Sequence, residues 1–155
     1  MVSTAFQSPL EKEQIRVALF GKEASSLVPL LQEKTDLVVV DTTPDLVICY
    51  GGDGTLLAAE LHWPGIPKVP ILNSKRGNRC IQRRPEEVIA ALSGRDMVRT
   101  LYTKLECSIF TGEGVKAPDF SFTCLNEVNV HMGRINSAVR FQLSVNAVPF
   151  EDGVE

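Results

Sequence analysis

The chain lacks the features that mark several broad protein classes. Its 155 residues include only four cysteines, Cys49, Cys80, Cys107 and Cys124. None forms a C-x-x-C pair, and their spacing fits neither a zinc site nor an obvious disulfide framework. Three lie in apolar, strand-like runs, where a free cysteine behaves as a small hydrophobe, so a reducing cytoplasm is the expected compartment. The two histidines, His62 and His131, have no partner pattern and read as ordinary surface or partly packed residues. No apolar run approaches the roughly 18 residues of a membrane helix. The stretch from Met1 to Gln14 is too mixed and charged for a signal peptide. Positive charge is not in excess either: the formal net charge is −3, which argues against general nucleic-acid affinity.

What is present describes a globular protein. Apolar residues make up 44% and charged residues 23% of the chain, an ordinary balance for a packed domain. A chain of this length buries roughly 68–70% of its unfolded surface. After a loose arm over residues 1–13, Ile15-Arg16-Val17-Ala18-Leu19-Phe20 reads as a strand closed by Gly21. Leu27, Leu30 and Leu31 share a helical face, with Ser26 as the expected N-cap and Pro29 in the tolerant first turn. Leu37-Val38-Val39-Val40 reads as a second buried strand and Leu46-Val47-Ile48-Cys49-Tyr50 as a third. A short helix carrying Leu57 and Leu61 must end at Trp63-Pro64-Gly65. Val69-Pro70-Ile71-Leu72 is the next strand, and Pro85 and Gly94 bracket a helix with Val88, Ile89 and Leu92 on one side. Strands alternating with helices predict an α/β domain with a parallel sheet covered on both faces. Ligands of such sheets bind at the carboxyl ends of the strands.

From about Val98 the pattern changes to a period of two. Leu105, Cys107 and Ile109 alternate with polar residues, as do Val139, Phe141, Leu143 and Val145, with a further extended run from Cys124 to Val130. This predicts an antiparallel sheet with one buried face. A boundary near residues 95–101 therefore separates a first domain over 1–100 from a second over 101–155. The second holds three or four strands, few for an independent β domain, so it is expected to lean on a partner or to be part of a longer chain.

The most specific stretch is Gly51-Gly52-Asp53-Gly54-Thr55, a glycine-rich turn between the third strand and a helix. Glycines let a ligand approach the backbone, and a helix start offers free N–H groups and a positive dipole end to phosphate. Asp53 stands out because a carboxylate repels phosphate. It is suited to taking a proton, holding Mg²⁺ or capping the helix. The second glycine-bearing loop, Asn73-Ser74-Lys75-Arg76-Gly77-Asn78-Arg79, is predicted at the same sheet edge. Its cations, with Arg83 and Arg84, read either as a phosphate-attracting cluster or as a solvated basic loop.

The run Asp45-Leu46-Val47-Ile48-Cys49-Tyr50-Gly51-Gly52-Asp53-Gly54-Thr55-Leu56-Leu57-Ala58-Ala59 resembles the signature of NAD kinases, relatives of the diacylglycerol and sphingosine kinases and of the phosphofructokinases. Leu125-Asn126-Glu127-Val128 resembles that family's Asn-Glu motif, expected on a strand. The resemblance implies a Rossmann-like nucleotide-binding domain followed by the beginning of an all-β substrate-binding domain. It implies a kinase that moves the γ-phosphoryl group of ATP, or of polyphosphate, to the 2′-hydroxyl of the adenosine ribose of NAD with Mg²⁺ or another divalent metal. Asp53 would orient or deprotonate that hydroxyl. Gly52, Gly54, Thr55 and Asn73 would border the nucleotide, and Asn126 and Glu127 would hold NAD by hydrogen bonds. No residue is assigned as a protein ligand of the metal, and self-association through the β half is expected.

The sequence departs from the family pattern in the loop after the fourth strand and, more extensively, at its end. The family's fourth-strand loop usually reads Gly-x-Asn-x-Gly-x-Leu-Gly-Phe, and here Arg79 falls where an aromatic residue is expected. Arginine also stacks on purines. The family continues into a second Gly-Asp-Gly and a Thr-rich stretch. The sequence is therefore expected to correspond to roughly the first half of such an enzyme. Two other readings share the motif: a lipid kinase, which commonly carries an Asn-Glu pair where this chain has Leu56-Leu57, and a non-catalytic nucleotide-binding module.

Overall fold

Four aliphatic runs form strands β1 (Ile15–Phe20), β2 (Leu37–Val39), β3 (Leu46–Gly51) and β4 (Lys68–Leu72). All pair in parallel, in the order β2-β1-β3-β4. The structure, a computed structural model, describes residues 9–112, 114, 116–131, 133 and 141–149. Parallel neighbours need crossover connections. A 3-10 turn over Ala24–Leu27 and helix α1 (Val28–Gln32) join β1 to β2. Helix α2 (Asp53–His62) joins β3 to β4, and α3 (Pro85–Ser93) comes after β4. Among the described residues no helix is long and apolar enough to cross a membrane.

The alternation of side chains along β3 divides the core in two. Leu46 and Ile48 pack with Leu27, Leu31, Val88, Ile89 and Leu92, on the face covered by α1 and α3. Val47 and Cys49 pack with Ala18 and with Ala59 of α2 on the other face. All four residues Leu46, Val47, Ile48 and Cys49 are buried, the pattern of a strand covered on both sides. The first unit is thus α/β in architecture.

Several local expectations are corrected. Ser26 does not cap α1: it lies inside the 3-10 turn, and its hydroxyl donates to the carbonyl of Glu23 at 2.7 Å. The tighter turn begins before the cap position that Pro29 suggested. Strand β2 is at the sheet edge rather than buried, with Val38 and Val39 38% and 39% exposed. The arm before β1 is tethered where it is described, because Leu10 packs against the core. Helix α3 does end at Ser93 with Gly94 as its C-cap, as expected, but Gly94 is right-handed at φ −70° and the left-handed residue is Arg95, at φ 60°. Its guanidinium pairs with Asp36 and donates to the carbonyls of Lys12 at 2.8 Å and Glu13 at 3.1 Å, contacts that offset the backbone strain.

Asp45 enters β3 from the end opposite the glycine turn. Its side chain is 5% exposed, and it accepts from Lys12 Nζ at 2.6 Å, from Arg16 NH2 at 2.9 Å and from the Arg16 amide at 2.9 Å. Burial pushes its carboxyl up, but the bonds from Arg16 and Lys12 outweigh burial and hold it well below the usual carboxylate range. A carboxyl whose folded pKa is depressed stabilises the fold above its unfolded pKa, and that contribution is lost as pH falls through the folded value. Asp45→Asn is therefore expected to cost about 2 kcal/mol at pH 7, the scale of hydrogen bonds to a charged group. The gap to the unsubstituted protein should narrow on acidification below about pH 4, the ordinary aspartate pKa, as read by urea denaturation across pH.

The contacts divide the chain into two units, Met1–Thr100 and Leu101–Glu155. In the second, β5 (Leu105–Ile109) and β6 (Phe120–Cys124) form an antiparallel pair. Their register puts Leu105, Cys107, Ile109, Phe120, Phe122 and Cys124 on one face and Glu106, Ser108, Ser121 and Thr123 on the other. The apolar face is not buried as the pattern predicted: Phe120 is 60% exposed and Leu105 47%. Asp119 accepts from the amide and hydroxyl of Thr111 at 2.7 and 2.8 Å and closes the connection. β7 (Ser144–Val145) and β8 (Val148–Pro149) make a small hairpin. Its turn residues Asn146 and Ala147 have φ of 52° and 63°, as a two-residue hairpin requires. The strand expected from Val139 is described only from Phe141, and only Ser144 and Val145 pair.

Candidate functional site: a cleft at the strand ends

Both loops singled out in the sequence lie at the carboxyl edge of the parallel sheet. The order β2-β1-β3-β4 means that the chain leaves β1 to one side and β3 to the other. The carboxyl ends of β1 and β3 therefore flank the point where the strand order reverses, the usual crevice of open α/β sheets. Gly21 ends β1 there with φ +134°, and a Cβ on it would fall 2.2 Å from the carbonyl oxygen of Tyr50. Only glycine permits β1 and β3 to end this close together.

Gly52 is the N-cap of α2 and Asp53 its first residue. The amides of Thr55 and Leu56 bond back to the Gly52 carbonyl at 2.9 and 3.2 Å. The amides of Asp53 and Gly54 are left without an acceptor among the described residues, with an acidic residue at the positive end of the dipole. Opposite them runs the loop over residues 74–80. Gly52, Asp53 and Gly54 on one wall and Ser74, Lys75, Arg76, Gly77 and Asn78 on the other enclose a cleft of about 580 Å³. A Cβ on Gly52 would lie 2.9 Å from Ser74 Oγ and 3.0 Å from the Arg76 carbonyl oxygen, so the two walls touch at that point.

Asp53 joins the walls. Its Oδ2 accepts from the Asn78 amide and its Oδ1 from the Arg79 amide, both at 2.9 Å, and the Cys80 thiol lies 3.5 Å from Oδ1. The amides of Arg79 and Asn78 hold its carboxyl below the usual range, against a smaller opposing effect of burial. The loop has two further ties. Ser74 Oγ donates to the Arg76 carbonyl at 2.5 Å and accepts from the Arg76 amide, and Gln82 Nε2 donates to the Gly77 carbonyl at 3.4 Å. Burial, and then the neighbouring Asp53, pushes the Cys80 thiol up to about 11. At neutral pH it is a protonated, poorly nucleophilic group.

The other expected site residues fall in three places. Asn73 is at the cleft margin: its amide donates to the Gly51 carbonyl at 2.8 Å, and its Nδ2 to Glu23 Oε2 at 3.0 Å. Thr55 lies behind the turn, packed on the backbone of Gly51, where an added Cβ would meet its Oγ1 at 2.2 Å. Asn126 and Glu127 belong to the second unit and are exposed just after β6, not on a strand. The reason is register: Cys124 already faces Leu105, the first residue of β5, so the ladder has no partner for the residues beyond Cys124. Of the basic cluster, Lys75 and Arg76 line the cleft, whereas Arg84 pairs with Glu87 at 2.7 Å.

Among the described residues no three His, Cys, Asp or Glu side chains converge as a metal site. The cleft offers one carboxylate already engaged by two amides, a donor set that does not fit a protein-held Mg²⁺. Compared with known proteins, the sequence matches no family model and no curated protein.

Proposed function

We propose that the chain is the nucleotide-binding part of an NAD kinase, with a Rossmann-like first unit and a second unit that opens a β-rich substrate domain. The observation that carries this reading is the cleft itself. A glycine-aspartate turn at the start of α2 faces two cations, Lys75 and Arg76, at the point where strand order reverses. Phosphoryl transfer needs mainly positioning and charge neutralisation, and open backbone with free N–H groups on one side and cations on the other supplies both.

In the reaction, the 2′-hydroxyl oxygen of the adenosine ribose forms a bond to the γ-phosphorus of ATP. The bridging P–O bond breaks, releasing ADP and the hydroxyl proton. A divalent ion, which the cleft's own side chains are not arranged to hold, would come with the donor's phosphates and supply charge neutralisation there. Asp53 stands on the cleft wall in the first unit, and a role for Asn126 and Glu127 in holding NAD rests on the resemblance of Leu125-Asn126-Glu127-Val128 to the family motif. Leu56 supports this branch over the lipid kinases, because it packs with Val47 and Cys49 where those enzymes carry a polar pair. The exposed apolar face of β5 and β6 supports the expected self-association.

The complete protein is expected to form NADP from NAD and ATP with Mg²⁺, measured by coupling the product to an NADP-specific dehydrogenase. Phosphorylation of a diacylglycerol or sphingoid base, with NAD left unchanged, would overturn this reading.

A further inference from the structure

We infer that Asp53 is a positioning residue, which anchors the loop over residues 74–80 and does not act as the proton acceptor. The geometry favours this in three ways. Each carboxylate oxygen already accepts from a backbone amide at 2.9 Å, one from Asn78 and one from Arg79, which ties the side chain to the loop and weakens it as a base. The loop is set on the turn without slack: a Cβ would lie 2.9 Å from Ser74 on Gly52 and, on Gly77, 2.6 Å from Leu72 and 3.5 Å from Asp53 Oδ1. The residues this anchor holds in place, Lys75 and Arg76, are the cations of the cleft. A carboxylate stabilised by two N–H donors is a weaker base, as its lowered pKa also indicates. In a loose transition state the attacking hydroxyl needs little deprotonation beforehand, so an orienting anchor suffices.

The kinetic part of this inference rests on the kinase reading, but the anchor itself does not. The unsubstituted protein should show amide hydrogen exchange at Asn78 and Arg79 at least about tenfold slower than at Lys75 and Gly77, whose amides have no acceptor among the described residues. In Asp53→Asn the new NH₂ group meets an N–H donor, so exchange at Asn78 and Arg79 should rise about tenfold while β1 and β3 stay protected. Trypsin should then cut faster after Arg76 and Arg79. In turnover assays the same variant should raise KM for the nucleotides as well as lower kcat, because Lys75 and Arg76 move with the loop. Unprotected Asn78 and Arg79 amides in the unsubstituted protein would overturn the inference, whatever the variant does. So would a variant with unchanged exchange and KM and a reduced kcat alone, the signature of a lost proton acceptor. If no NADP is formed at all, the exchange and proteolysis results still decide the anchor.

Discussion

Gly54→Ala should give a protein that is more stable and at least about a hundredfold less active. Gly54 is the second residue of α2, with helical backbone and an exposed position on the cleft wall. A Cβ built there meets nothing within 4 Å, and its φ is not left-handed, so no internal contact requires glycine. Alanine in a helix is better than glycine by about 0.5–1 kcal/mol, chiefly through the entropy of the unfolded chain. The folded protein thus carries an unfavourable residue with no return inside the molecule. Under the proposed function its value would lie outside the molecule, because the bare backbone leaves room for a ligand at the helix start. A methyl group displaces that ligand by about an ångström or more, a misplacement that commonly costs about 10² in rate. Denaturant midpoints and NADP formation on the same preparation would check both halves. Undiminished turnover would show that nothing approaches the backbone at Gly54.

The same change at Gly21 should do the opposite, lowering stability by about 3 kcal/mol or more. There φ is +134°, which an alanine adopts only under strain, and such strain costs about 1–3 kcal/mol. The new methyl would also lie 2.2 Å from the Tyr50 carbonyl oxygen, a backbone atom of the central strand that cannot swing aside. Overpacking adds another 1–3 kcal/mol or so. The expected result is a urea midpoint shifted well below that of the unsubstituted protein, with any loss of function arising from unfolding. The pair of variants would thus separate a glycine that the fold requires from one that only the proposed ligand site requires.

The strands were legible because their composition and burial agree. Val47, Ile48 and Cys49 could only be a strand covered on both faces, and they are. β2 misled because Leu37, Val38 and Val39 are equally β-branched or aliphatic at an edge and in a centre; strand order is a tertiary fact with no local mark. Ser26 looked like a cap because the sequence cannot tell a 3-10 turn from the start of an α-helix. In the site, Gly52, Asp53 and Gly54 were visible as letters, and so was the basic loop. What held them together was not, since the partners of Asp53 are the amides of Asn78 and Arg79, and a backbone N–H is the same at every residue but proline. The tie between Asn73 and Glu23 was missed for a related reason: 50 positions separate them, and it takes the parallel pairing of β1 with β3 and of β3 with β4 to bring their loops to one edge.

Strand β3 has an aspartate at each end. Asp45 precedes it, gripped by Lys12 and Arg16, and Asp53 lies past its far end, beyond the glycines. Six residues of strand lie between, about 20 Å of extended chain, with no side-chain partner in common among the described residues. Perturbations that far apart and without shared contacts combine additively. The two carboxylates therefore act as independent dials on one rod: the salt-bridged end sets how much acid the sheet tolerates, and the other sets the shape of the cleft. Either end can be altered without re-tuning its opposite.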